Sequence, residues 1–119
     1  MRRAIVGTGL LLALAGCAGT QKVPTEQLVD SEVTIRQAEE AGAAQLPEAA
    51  PHLQSAKEQT GEARKLLERN ERDKAALYLK RAEADAELAL ALAREAPARA
   101  EAQRAHEQLQ QLQPNPVQQ

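Results

Sequence analysis

Apolar residues return at three- and four-residue intervals along most of this chain, the spacing that gathers side chains onto one face of an α-helix. Leu28, Ser31, Ile35, Ala38 and Gly42 make the first such seam. Val29 and Val33 widen it, Glu32, Arg36, Glu39 and Glu40 face away, and the pattern predicts a helix from about Thr25 to Ala44. Gly42, Pro47 and Pro51 then interrupt the period, because two prolines four residues apart cannot both occupy a helix interior. A second helix is predicted from near Ala49, with Pro51 in its first turn, where a missing N–H costs nothing. Its seam is Leu53, Ala56, Thr60, Ala63, Leu67 and Asn70.

The four polar residues Asn70 to Asp73 predict a turn, with Asp73 capping the third helix. Local propensity alone would also permit one rod from Pro51 to Ala96, and burial argues for the turn. The third segment has Ala75, Leu79, Ala82, Ala86, Leu90 and Ala93 on one stripe. Leu77, Ala84, Leu88 and Ala91 form another, and a helix this apolar is expected to find neighbours by folding back on the first two. Pro97 predicts a kink more than a break, since neither glycine nor a good cap accompanies it and a seam resumes at Ala98, Ala102, Ala105, Leu109 and Leu112. The predicted class is all-α, an antiparallel helical hairpin or three-helix bundle with a long, Pro-kinked C-terminal helix. The helical domain is expected over residues 25–112, and the proline-broken residues 113–119 are expected to be a disordered tail.

The amino-terminal end has a different pattern. Arg2 and Arg3 precede an apolar run from Ile5 to Leu14, too short for a helix that crosses a hydrocarbon core about 30 Å thick but suited to a cleaved signal. The run closes on Leu14-Ala15-Gly16-Cys17, which resembles the lipobox of bacterial lipoproteins. That resemblance implies cleavage between Gly16 and Cys17, removal of residues 1–16, and a covalent lipid on Cys17, the single cysteine of the chain. Several acyl chains, each buried methylene contributing about 0.8 kcal/mol, would make such an anchor effectively permanent. Residues 17–24 would serve as a tether. Ala18, with no aspartate directly after the cysteine, is similar to the pattern of lipoproteins forwarded to the outer membrane.

Composition narrows the rest. Without Arg2 and Arg3 the 15 basic side chains fall to 13, against 17 acidic ones, which argues against nucleic acid as a partner. Tyr78 is the sole aromatic, and alanine and leucine supply most of the apolar content, so only a thin core can form. With its one cysteine assigned to lipid, the domain has no disulfide and must rely on helix packing.

Ala38-Glu39-Glu40-Ala41-Gly42-Ala43-Ala44, Ala50-Pro51-His52-Leu53-Gln54-Ser55-Ala56-Lys57, Arg72-Asp73-Lys74-Ala75 and Ala82-Glu83-Ala84-Asp85-Ala86-Glu87-Leu88-Ala89 together resemble an alanine-rich bacterial lipoprotein domain of unknown function. Some members of that family look like tethers for a following peptidoglycan-binding domain. The second and third predicted helices also look like one tetratricopeptide-type hairpin, although no second copy recurs at a fixed period.

Candidate chemistry is sparse. His106-Glu107 is followed by Gln110 where a zinc-protease motif requires histidine, so His52 and His106 are expected to be solvated or partly packed. Ser31 and Ser55 have no glycine-rich elbow to raise a nucleophile. Arg64, Lys65, Arg69, Arg72, Lys74, Lys80 and Arg81 crowd the predicted turn, but interleaved acids favour a solvated face over an anion-binding patch. Tyr78 is expected to pack on the second helix.

No catalytic, metal-binding or cofactor-binding residue is therefore expected, and no small-molecule substrate. The functional expectation is a lipid-anchored, periplasm-facing module, structural or protein-binding, with a protein partner or self-association. A murein-lipoprotein-like rod is the alternative, weakened by Pro47, Pro51 and Pro97 and by Gln119 standing where such rods end in lysine. A carrier holding a hydrophobe between helices one and three is a further alternative, weakened by the scarcity of large apolar side chains.

Overall fold

The computed structural model describes residues 22–112. Helix α1 spans Pro24–Glu40, a 3-10 turn covers Ala43–Gln45, α2 spans Ala50–Glu68, and α3 spans Arg72–Leu112. No strand occurs among the described residues. The expected all-α bundle with a long last helix is thus observed. Residues 1–21 and 113–119, with the lipobox and the expected tail, lie outside the described residues.

Proline and the left-handed backbone set the boundaries. Pro24 and Pro51 each sit in a first helical turn, where no hydrogen bond is lost. Helix α1 stops four residues before the expected Ala44, because Gly42 adopts φ 88° and its N–H bonds back to the Glu39 carbonyl at 2.9 Å. At the end of α2, Asn70 takes φ 65°, a conformation that asparagine tolerates better than most residues. Its N–H reaches the Leu67 carbonyl at 3.0 Å, and the Glu71 N–H reaches the Leu66 carbonyl at 2.9 Å, the paired bonds of a Schellman turn. Glu71 then accepts from the Ala75 N–H at 3.0 Å and so opens α3. Asp73, expected as the cap, instead lies within the first turn of α3. An acid there complements the helix dipole without capping it.

Two apolar clusters hold the bundle. Ile35, Ala38, Leu53, Ala56, Ala86 and Leu90 belong to one, toward the 3-10 turn. Ala63, Leu66, Ala75 and Leu79 form the other, covered by Leu28, Leu67 and Tyr78 at the α2–α3 turn. Because Leu28 meets the start of α3 while Ile35 and Ala38 meet its middle, α1 runs parallel to α3 and antiparallel to α2. Alanine predominates in the core, so the helices approach closely, and Leu79 is fully buried.

Several sequence expectations change here. Val29 and Val33 are exposed, at 57% and 46%, because α2 and α3 cover only a narrow arc of α1. Leu66 takes the buried position expected of Leu67, facing Ala75 and Leu79, while Leu67 covers the edge of that cluster. On α3 the stripe from Ala75 to Ala93 is buried, whereas Leu77, Ala84, Leu88 and Ala91 face outward. Two neighbours can cover one side of a helix but not both. One expectation stands: α3 continues through Pro97 without a break. Every residue from Pro97 to Leu112 is exposed, so this segment, about 24 Å long, extends beyond the bundle.

Candidate functional site: the Asp85 node and the outer face of α3

His52, Ser55 and Gln59 stand at i, i+3 and i+7 on α2, a spacing that places all three on one face. Across from them on α3 lies Asp85, flanked by Ala82, Ala86 and Ala89, whose small side chains let the two helices come near enough for contact. His52 Nδ1 donates to Asp85 Oδ1 at 3.1 Å, and Ser55 Oγ donates to Asp85 Oδ2 at 2.8 Å. Gln59 Nε2 donates to the same Oδ2 at 2.9 Å and to Ser55 Oγ at 2.7 Å. Burial pushes the Asp85 carboxyl upward, but the hydrogen bonds from Ser55, His52 and Gln59 outweigh it and hold the acid below the ordinary aspartate range.

The residue types invite comparison with a serine nucleophile and its base, and the geometry differs from one. In such a site histidine takes the serine proton and the acid orients the histidine. Here Ser55 directs its proton to Asp85, and no hydrogen bond joins Ser55 to His52 among the described residues. The arrangement is a polar clamp of α2 onto α3, centred on a carboxylate that accepts from three donors. Sequence reasoning weighed His52 and Ser55 singly and missed the node. The three polar side chains at i, i+3 and i+7 on α2, together with an aspartate between alanines on α3, were the available signal.

The remaining candidates disperse. His106 is exposed on the protruding segment, beside Gln110 at 2.9 Å. Tyr78 packs on the cluster formed by Ala63, Leu66, Ala75 and Leu79, as expected. The seven basic side chains around the α2–α3 turn are all exposed; Arg64 pairs with Glu32, Lys65 with Glu62 and Lys74 with Glu71. No group of three or more His, Cys, Asp or Glu placed to hold a metal occurs among the described residues. None of the described helices is long and apolar enough to cross a membrane. Cys17 and Gly16 lie outside the described residues.

Grooves run between helices at two places among the described residues. One of about 310 Å3 lies between α1 and α2, lined by Glu32, Arg36, Glu39, Lys57 and Arg64 around Thr60 and Gly61. The other, about 480 Å3 between the start of α1 and α3, is lined by Lys22, Arg72, Asp73, Lys80 and Glu83 among others. Charged side chains dominate the first; in the second they rim Pro24, Ala76 and Leu77 in a cleft open to solvent. Neither is the apolar chamber that a hydrophobe carrier requires.

Residues 26–105 match the family described as Domain of unknown function (DUF4398). The chain belongs to this family. The match takes in most of α1, all of α2 and α3 as far as Ala105, so the Asp85 node lies inside the family domain and Cys17 lies outside it. No curated protein and no solved structure matches the chain. The family domain thus coincides with the bundle and the first part of the protruding helix.

Proposed function

We propose that this member of the family is a lipid-anchored, non-catalytic module of the bacterial envelope, tethered through Cys17 at the outer membrane and facing the periplasm, whose task is to present α3 to a protein partner. The observation that carries the reading is the exposure of α3: one side of this helix, about 60 Å long, holds the bundle together, and its other side is bare throughout. Along that bare side Leu77, Ala84, Leu88, Ala91, Ala98, Ala102, Ala105, Leu109 and Leu112 make an exposed, mainly Ala/Leu stripe interrupted by Arg81 and Glu95, and an exposed stripe of this kind marks an interaction site. The fold's polarity tells which end such an anchor would hold. α1 begins at the α2–α3 turn, so a lipid on Cys17 would hold that end and the protruding segment would point away from it.

The Asp85 node serves this task by rigidity. It fixes the rotation of α3 about its own axis, and with it the direction of the outer stripe. The anchor is tested by producing the full chain and its Cys17→Ser variant in a bacterium with two membranes. The parent chain is expected to migrate as a processed, lipid-bearing species recovered with membranes, and Cys17→Ser as an unprocessed one without lipid. Identical mobility and identical membrane recovery of the two would refute the anchor.

A further inference from the structure

We propose that the outer face of α3 docks a second copy of this chain, the two α3 helices running antiparallel over Arg81–Leu112. This deepens the proposed function: it rests on α3 being an interaction face and is independent of the lipid. On the bundle, Ala84, Leu88 and Ala91 have a 4-3 spacing and are exposed. Beyond Pro97, Ala98, Ala102, Ala105, Leu109 and Leu112 continue the same seven-residue register, also exposed, with Glu95 filling the position between. The two stretches are one coiled-coil seam, opposite the buried stripe. Pro97 lies off this seam and does not stand between paired helices.

Charge sets the orientation. Beside the seam, at every seventh residue, stand Lys80, Glu87, Arg94, Glu101 and Gln108, exposed and alternating in sign until the last. A parallel pair would bring Arg81 against its own copy, Glu95 against its own copy, and Arg94 against the partner's Arg99. An antiparallel pair avoids these contacts, because like positions along the flank then face one another in reverse order.

Size and exposure set the register. With Glu95 opposite the partner's Ala98, Leu88 meets the partner's Ala105 and Leu109 meets the partner's Ala84, a large side chain against a small one in both layers, while Ala91 meets the partner's Ala102 and Leu112 lies along the aliphatic stem of the partner's Arg81. Arg94 then faces the partner's Glu101, and the two-fold axis repeats that contact. Neither residue has an ion-pair partner among the described residues. A slip of one heptad sets Arg94 against its own copy or Glu101 against its own copy. A slip of two heptads toward the bundle restores opposite charges but leaves Leu109 and Leu112, exposed at 62% and 79%, beyond the start of the partner's helix. Burial of two leucines per copy outweighs additional surface ion pairs, so the register that covers them prevails.

The test uses the full chain in detergent, followed by sedimentation equilibrium. The chain is expected to dimerise, and Arg94→Glu and Glu101→Arg are each expected to weaken dimerisation about tenfold, because each converts two attractive contacts into repulsive ones. The double variant R94E/E101R is expected to recover the parent's affinity. A monomer at the highest soluble concentration, a trimer, or a double variant no better than the singles would overturn the proposal. In intact cells, a photoreactive phenylalanine analogue in place of Leu109 is expected to crosslink to a second copy near Ala84. An adduct with a different protein would overturn self-pairing and leave the interaction-module reading standing, whereas no protein adduct at all would sink both.

Discussion

Asp85 shows how a single side chain can decide the angular setting of a helix. Its carboxylate accepts from His52, Ser55 and Gln59, so a change that leaves these donors facing nothing costs more than the net worth of one hydrogen bond. Asp85→Asn keeps the shape but turns an amide toward three donors, and should lower the unfolding free energy by about 1–3 kcal/mol, read from urea denaturation at neutral pH. The pH dependence has a defined sign. Asp85 is held below the ordinary aspartate range in the folded chain, so its contribution is complete above the unfolded value and fades as pH falls through the folded one. The gap between parent and Asp85→Asn should therefore close under acid conditions. A gap that stays constant to the lowest accessible pH would remove Asp85 from this role. The spacing of His52, Ser55 and Gln59 hints at a polar face, but local sequence cannot pair it with Asp85, which stands 26 to 33 residues away from them until the α2–α3 turn brings the helices together.

At the scale of elements, most boundaries were legible beforehand because they rest on backbone chemistry. Pro24 and Pro51 mark helix starts, Gly42 marks a stop, and the polar run Asn70 to Asp73 marks the α2–α3 turn. Asn70 is the subtler case, since the sequence shows only a polar residue and the fold turns it into a left-handed hinge. Pro97 was expected to leave α3 unbroken, and the helix runs on through it. Its ring removes the hydrogen bond to the Ala93 carbonyl at the point where the helix leaves the bundle. Pro97→Ala should restore that bond and stabilise the helix by roughly 1–3 kcal/mol, visible as slower amide exchange over residues 97–101. Unchanged exchange would mean that the exit region is already as rigid as the bundle.

For the whole molecule the core is thin and confined to one end. Buried side chains run no further along α3 than Ala93, and the last tie between the bundle and the protruding segment is Arg99 to Glu48 at 3.1 Å on the surface. An exposed pair of this kind contributes at most about 1 kcal/mol. A chain ending after Arg99 should therefore keep the unfolding free energy of the parent within about 0.5 kcal/mol, measured at a concentration low enough to exclude association. A larger loss would show that the outer segment supports the fold. An antiparallel pairing of α3 sets the starts of the two α1 helices at opposite ends of the dimer, and a pair anchored from both starts to one membrane would lie along it.

The all-α class and the boundaries at Pro24, Gly42 and Pro51 come from the chain alone, because proline, glycine and a 3.6-residue period act within a few residues of one another, whereas the α2–α3 turn, with neither residue type, follows from the need to cover an apolar helix. Which stripe of α3 is buried does not come from the chain alone, since alanine and leucine line both sides of that helix and local periodicity has no means to rank them. The placement of α1 and α2 makes the choice. Their packing turns Val29 and Val33 outward, selects Leu66 over Leu67, assembles the Asp85 clamp and leaves the second seam bare.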